Sequence, residues 1–175
     1  MKTATLLALL ACLLGGARAE SLQVGLPGLP WSLQAEADGV KVRKNGPSQD
    51  GNSAKLMVTR EKDGLTFSVY MEKMPDLKSA KDCRDFYWKR ASQDTEVRED
   101  VTLSDSRAFS RVEYEVSDFG GMHIVQKHVH AYLWKDGVCA DAHLIMVGYK
   151  PSNHKALDAI LKSLRFVKTP GGLKP

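Results

Sequence analysis

The sequence predicts an α+β fold, in which a mostly antiparallel sheet carries two principal amphipathic helices as an α/β/α sandwich. Short alternating segments joined by tight turns are typical of hairpins in such a sheet. Two longer segments, residues 78–91 and 151–164, have apolar residues at helical spacing. Because the order is strands, helix, strands and helix, we expect each helix to cover its apolar side with a sheet face.

The chain begins with a segment typical of a secretory signal peptide. Lys2 precedes an apolar run, and Ala17-Arg18-Ala19 offers the small residues that a signal peptidase recognises. The run is shorter than the roughly 20 residues that a membrane anchor needs. We therefore expect cleavage near Ala19 and a periplasmic or extracellular protein. An alternative is a lipoprotein anchored at Cys12, because residues 9–12 resemble a lipobox.

Charge and hydropathy argue against a nucleic acid partner and against a transmembrane span. The formal net charge is +4, and two of the cations lie in the predicted leader, so the mature chain is close to neutral. Nucleic-acid-binding proteins usually need a concentrated basic face, so we expect no nucleic acid partner. After the leader we expect no transmembrane span. Residues 31–168 are predicted to form a single domain, between an extended or disordered entry at residues 20–30 and a loose tail at residues 169–175.

Two hairpins are predicted in the first half of the domain. Their paired strands are residues 31–35 with 40–42, and residues 55–59 with 65–71. Asp38-Gly39 marks the first turn and Lys62-Asp63-Gly64 the second. Residues 44–53 are nearly all turn formers and predict a loop between the hairpins.

The second half contains the two predicted helices and three more strands. In residues 78–91, Ala80, Cys83 and Tyr87 share one helical stripe. The strands are predicted at residues 106–116, 122–135 and 138–149. The closing helix of residues 151–164 has the clearest apolar stripe, formed by Leu157, Ile160, Leu161 and Leu164.

This layout resembles the PsbP-like family of small exported bacterial proteins, which are α/β/α sandwiches. The resemblance covers residues 31–167. It rests on the early Trp31 segment, two hairpins, a mid-chain helix, a three-stranded meander and the closing residues 157–166, LDAILKSLRF. Known relatives serve mainly as binding or assembly factors, for photosystem II and for a small GTPase. The resemblance implies a binding role and assigns no functional residue in this chain.

Residues 128–143, HVHAYLWKDGVCADAH, contain the densest cluster of metal-ligand residue types in the chain. Asp136-Gly137 suits a two-residue type I′ loop, which places His130 opposite His143 and Trp134 opposite Cys139. Side chains alternate along both strands, so one face of the hairpin is apolar and belongs to the core. The other face carries His128, His130, Tyr132, Trp134, Cys139, Asp141 and His143.

Two interpretations of that second face are open. His128, His130 and His143, with Asp141, could ligate Zn²⁺ or Cu²⁺. The other interpretation is a half-exposed sheet face, on which imidazole and aromatic rings pack without a metal and no cofactor is bound.

Cys83 and Cys139 are the cysteines that remain after leader removal. In an oxidising compartment two cysteines most simply form a disulfide, and the alternative is two buried thiols. A bond requires the helix of residues 78–91 to cover the hairpin face that carries Trp134, with the two Cα atoms within about 7 Å.

Motifs of nucleotide-binding loops, zinc proteases and nucleophile elbows are absent from the sequence. We therefore predict no enzymatic activity. The preferred hypothesis is an exported, non-enzymatic binding or assembly factor that acts on a protein or an envelope component. The alternative is a periplasmic metal-binding protein that uses the histidines of the 128–143 hairpin.

Overall fold

The computed structural model describes residues 19–91 and 97–169. Residues 1–18 of the predicted signal peptide, with the lipobox cysteine, and residues 170–175 of the predicted loose tail lie outside the described residues. In the described part of the chain, no helix is both long and apolar enough to cross a membrane.

A large antiparallel sheet dominates the fold. Its strands are β3 (Lys41–Pro47), β4 (Ser53–Arg60), β5 (Leu65–Lys73), β6 (Glu99–Asp105), β7 (Ser110–Phe119), β8 (Met122–Lys135) and β9 (Val138–Val147). They are ordered β3-β4-β5-β9-β8-β7-β6, so β3 and β6 are the two edges. The β4–β5 hairpin, predicted at residues 55–59 and 65–71, is confirmed and pairs Ser53 with Glu72 through Arg60 with Leu65.

A small antiparallel sheet packs on one face of the large one. It consists of β1 (Glu20–Val24), β2 (Trp31–Ala37) and β10 (Arg165–Lys168), with β2 in the middle. The main core lies between the two sheets, where residues such as Leu33, Phe67 and Leu144 are at most 1% exposed. Burial of these side chains supplies most of the favourable free energy of folding.

Among the described residues, two α-helices accompany the sheets. Helix α2 (His154–Ser163) follows a short 3₁₀ turn at Pro151–Asn153 and inserts Leu157, Ile160 and Leu161 into the main core. Helix α1 (Ala80–Ala91) lies on the opposite face of the large sheet, where it contacts β7, β8 and β9. A second, smaller apolar cluster forms beneath it.

The predicted α/β/α sandwich is wrong, because the fold is mostly β. The main core is covered largely by the small sheet, a role that the prediction gave to a helix layer. Residues 20–24 of the predicted entry segment and residues 44–47 of the predicted loop are strands, and residues 99–105 and 165–168, for which no element was predicted, are strands as well. Helices of twelve and ten residues are too short to cover a seven-stranded sheet.

The predicted hairpin of residues 31–35 and 40–42 is also wrong. β2 and β3 belong to different sheets, and β2 pairs with β1 and β10. Buried side chains from Leu33 and Ala35 face the main core in this arrangement. Alternation within β2 fixes which of its faces is buried, and it carries no information about the neighbouring strand.

Candidate functional site

The β8–β9 hairpin has the predicted register. Asp136 and Gly137 form its turn, with positive φ angles of 49° and 76°, as a type I′ turn requires. His130 pairs with His143, and Trp134 pairs with Cys139. One face of the hairpin joins the main core, and the histidine-bearing face lies on the side of α1.

Helix α1 is fixed to that face by the predicted disulfide. Cys83 and Cys139 are bonded, with their Cα atoms 5.8 Å apart and both residues fully buried. Around the disulfide, Tyr87 stacks on Tyr132 at 6.0 Å between ring centroids. The hydroxyl of Tyr87 also donates a hydrogen bond of 2.9 Å to Glu72 Oε2. Burial and the Glu72 carboxylate raise the pKa of Tyr87, so the phenol stays protonated and keeps this hydrogen bond.

A buried arginine of α1 extends the contact to the edge of the sheet. Arg84 is 5% exposed, and its Nη1 lies 2.6 Å from Asp105 Oδ1 at the end of β6. Its Nη2 lies 2.8 Å from Asp85 Oδ1. Because one partner is on α1 and the other on β6, the guanidinium ties the helix to the edge strand.

The three hairpin histidines lie next to one another: His130 and His143 are stacked, and the ring of His128 is tilted by 32° against that of His143. The rings of His130 and His143 lie 3.7 Å apart with an interplanar angle of 15°. His128 Nδ1 lies 3.1 Å from His143 Nε2, and His130 Nδ1 lies 3.0 Å from Asp141 Oδ1. Tyr114 of β7 covers His128 at 4.7 Å between ring centroids.

This face is more buried than the half-exposed surface that the sequence predicts. His128 is 6% exposed and His130 is 9% exposed. Burial, reinforced by His130 and Arg98, lowers the pKa of His128 to about 4. Burial, with His130, His128 and Lys55 nearby, holds the pKa of His143 well below its ordinary value. Both rings are therefore neutral at pH 7.

The arrangement of the imidazole rings differs from that of ligands around a tetrahedral metal ion. The nearly parallel rings of His130 and His143 direct their donor atoms along parallel planes, whereas ligands of a tetrahedral ion converge on one point. Among residues 19–91 and 97–169, no group of three or more His, Cys, Asp or Glu side chains is placed to hold a metal ion. A site built from His128, His130, His143 and Asp141 stays a prediction.

The two edges of the large sheet differ sharply. Edge β3 carries Lys41, Arg43 and Lys44, a register shift between Val42 and Lys44, and Pro47 at its end. Cations, bulges and proline are the features that keep sheet edges from pairing with other chains.

Edge β6 has the sequence EDVTLSD, without lysine or proline, and all seven residues are exposed. Leu103 is 50% exposed and Val101 is 40% exposed. A register shift between Glu99 and Thr102 interrupts the start of the strand, and Thr102–Asp105 then pairs regularly with β7. In the described part of the chain, the outer side of β6 has no strand partner. Backbone donors and acceptors along this stretch are therefore open to another strand.

Strand β6 was not predicted from the sequence. Its residues are exposed on both faces, so the apolar pattern that marks a strand with one buried face is weak. The alternation of Val101 and Leu103 around the β-branched Thr102 is the signal that favours a short strand there.

Comparisons of the chain with protein-family models and with curated proteins found no match.

Proposed function

We propose that this protein is an exported, non-enzymatic binding factor that engages another protein at the β6 edge of its large sheet. The observation that carries the proposal is the contrast between the two edges. Each edge has one register shift, but β3 also has three cations and a proline, whereas β6 exposes Val101 and Leu103 along an outer side that has no strand partner in the described residues. An extended segment that adds to such an edge gains backbone hydrogen bonds and side-chain contacts together.

The support behind β6 favours binding with little rearrangement. β6 pairs with β7 over Thr102–Asp105, and Asp105 is held by Arg84 of α1. α1 is in turn bonded to β9 through the Cys83–Cys139 disulfide. A strand that is already fixed in its bound conformation loses little conformational entropy when a partner pairs with it.

Export is part of the same proposal. β1 begins at Glu20 and pairs Glu20 with Ala37. Cleavage after Ala19 would therefore leave every strand of the fold intact. Mass spectrometry of the exported protein tests this step: an N-terminus at Glu20 supports it, and a lipid-modified Cys12 would replace it with the lipoprotein alternative.

Site-specific photo-cross-linking tests the binding surface. A photoreactive residue replaces Leu103 on β6 or, as the matched control, Val42 on β3; these side chains are 50% and 49% exposed. In cells, we expect a discrete cross-linked protein from position 103 and none from position 42. Equal cross-linking at both positions, or none at position 103, would contradict the proposal.

A further inference from the structure

We infer that the β6 edge takes an extended segment whose apolar residues are followed by basic residues at its C-terminal end. This inference rests on the proposed function and specifies the chemistry of the partner. It follows from three features of the edge: its apolar side chains, the position of its carboxylates and the direction in which an added strand runs.

The apolar part of the segment is matched by Leu103. Leu103 pairs with Val112 of β7 and therefore lies on the same face of the sheet as α1. Val112 is fully buried in the cluster beneath α1, together with Tyr114 and Val116, whereas Leu103 is half-exposed. An apolar side chain opposite Leu103 would continue this cluster by one strand and remove Leu103 from water.

The basic part is matched by the carboxylates at the start of β6. Glu99 and Asp100 are adjacent and exposed. Glu99 Oε1 accepts a hydrogen bond of 2.6 Å from the hydroxyl of Ser117, a neutral group that leaves the carboxylate charged. Asp105, at the other end, already accepts the ion pair of the buried Arg84. The negative charge that is open to a partner is therefore concentrated at the N-terminal end of the strand. Lysine or arginine side chains beside it would gain a favourable interaction that weakens with salt.

The direction of the added segment follows from the antiparallel pairing of the large sheet. All its neighbouring strands are antiparallel, and antiparallel pairing is slightly more stable per residue than parallel pairing. A strand added antiparallel to β6 runs toward Glu99, so its C-terminal end meets Glu99 and Asp100. This places apolar residues first and basic residues last.

A second copy of the chain fits this edge less well. Two β6 strands that pair antiparallel about Thr102 would place Glu99 of each copy opposite Asp105 of the other, and like charges directly opposite each other destabilise a sheet. The β3 edge of a second copy offers cations, but Pro47 lacks an amide donor, and β3 and β6 each have a register shift, so two interrupted edges would have to align.

Synthetic peptides test the inference on the full mature protein. The probe peptide is TVTVTVKK, labelled at its N-terminus, and its charge-reversed counterpart is TVTVTVEE. Fluorescence anisotropy should give a Kd in the micromolar range for the basic peptide and binding at least about tenfold weaker for the acidic one. A basic peptide with N-methyl groups on the amides of one edge should not bind, because strand addition needs those donors.

Two double variants locate the charge effect. Glu99→Gln/Asp100→Asn should weaken the basic peptide several-fold, and both replacements keep a side-chain oxygen as a hydrogen-bond acceptor. Glu61→Gln/Asp76→Asn removes two exposed carboxylates elsewhere and should leave the affinity unchanged. Equal binding of the acidic and basic peptides, or no effect of the first variant, overturns the inference.

The failures of the two proposals are distinguishable. If position 103 forms its cross-link in cells but the basic peptide does not bind up to about 1 mM, the proposed function stands and the inferred partner chemistry is wrong. A species of twice the molecular mass, cross-linked through position 103 in the purified protein alone, identifies a second copy as the occupant and also overturns the inference.

Discussion

Acidification should destabilise this protein well above the pH at which carboxylates titrate. The pKa of His128 falls from 6.5 to about 4 in the folded protein. Between pH 4 and pH 6.5, His128 binds a proton in the unfolded chain but stays neutral in the folded protein. The contribution of neutral His128 to the free energy of unfolding is therefore fully present above pH 6.5, and it is lost as the pH falls toward 4. The shift corresponds to about 3 kcal/mol, or about 1.4 kcal/mol per pH unit within the window.

His143 adds to the same effect, because burial and the neighbouring histidines also lower its pKa. The decrease in the free energy of unfolding should thus be at least as large as that calculated for His128 alone. Carboxylates whose pKa is lowered, such as Asp85, destabilise the protein only when the pH falls below about 4. The histidine contribution can consequently be measured in its own pH range.

Urea unfolding at a series of pH values, followed by tryptophan fluorescence, measures the effect. A His128→Phe variant keeps a flat ring against Tyr114 and should lose part of the pH dependence. His123→Gln changes an exposed histidine and should retain the wild-type dependence, because solvent surrounds that side chain in both states. A free energy of unfolding that is constant from pH 6.5 to 4.5, or that rises on acidification, would refute the reasoning.

Three further predictions concern stability and metal. A Cys83→Ser/Cys139→Ser variant, which opens a loop of 56 residues, should lose about 4 kcal/mol in urea unfolding; a loss below about 1 kcal/mol would contradict this. Leu157→Ala should lose about 2–5 kcal/mol by the same assay, because Leu157 is fully buried, and an unchanged midpoint would show that α2 is not part of the core. The alternative metal hypothesis is tested by calorimetry: it requires Zn²⁺ or Cu²⁺ binding tighter than about 1 mM that a His130→Ala/His143→Ala variant loses, and weaker binding or an unchanged affinity removes it.

Features that depend on local geometry were predictable from the sequence. The Asp136-Gly137 turn set the register of β8 and β9, since these residues accept the positive φ angles of a two-residue loop. The disulfide was predicted from two cysteines in an oxidising compartment, and the register with the helical stripe of Cys83 predicted which hairpin face α1 must cover for the bond to form. In each case a period or a turn fixed the direction of a side chain without knowledge of distant parts of the chain.

Features that depend on distant pairing were not predictable. β10 joins β2 across about 130 residues, pairing Phe166 with Leu33, and no pattern within either segment specifies the other. The burial of the histidines depends on Tyr114, which comes from β7 and stacks on His128. The exposed edge β6 was missed because neither of its faces is buried, so the constraint that produces alternation is weak there.

Hydrogen exchange of the protein, with and without saturating TVTVTVKK, tests most directly whether the β6 edge accepts a strand. An added strand should slow the exchange of amides within Glu99–Asp105, because amides on the outer side of β6 become hydrogen-bonded. The amides of Lys41–Pro47 on the opposite edge should exchange at an unchanged rate. Protection that appears on β3, or that spares β6 while the peptide is bound, would contradict the account.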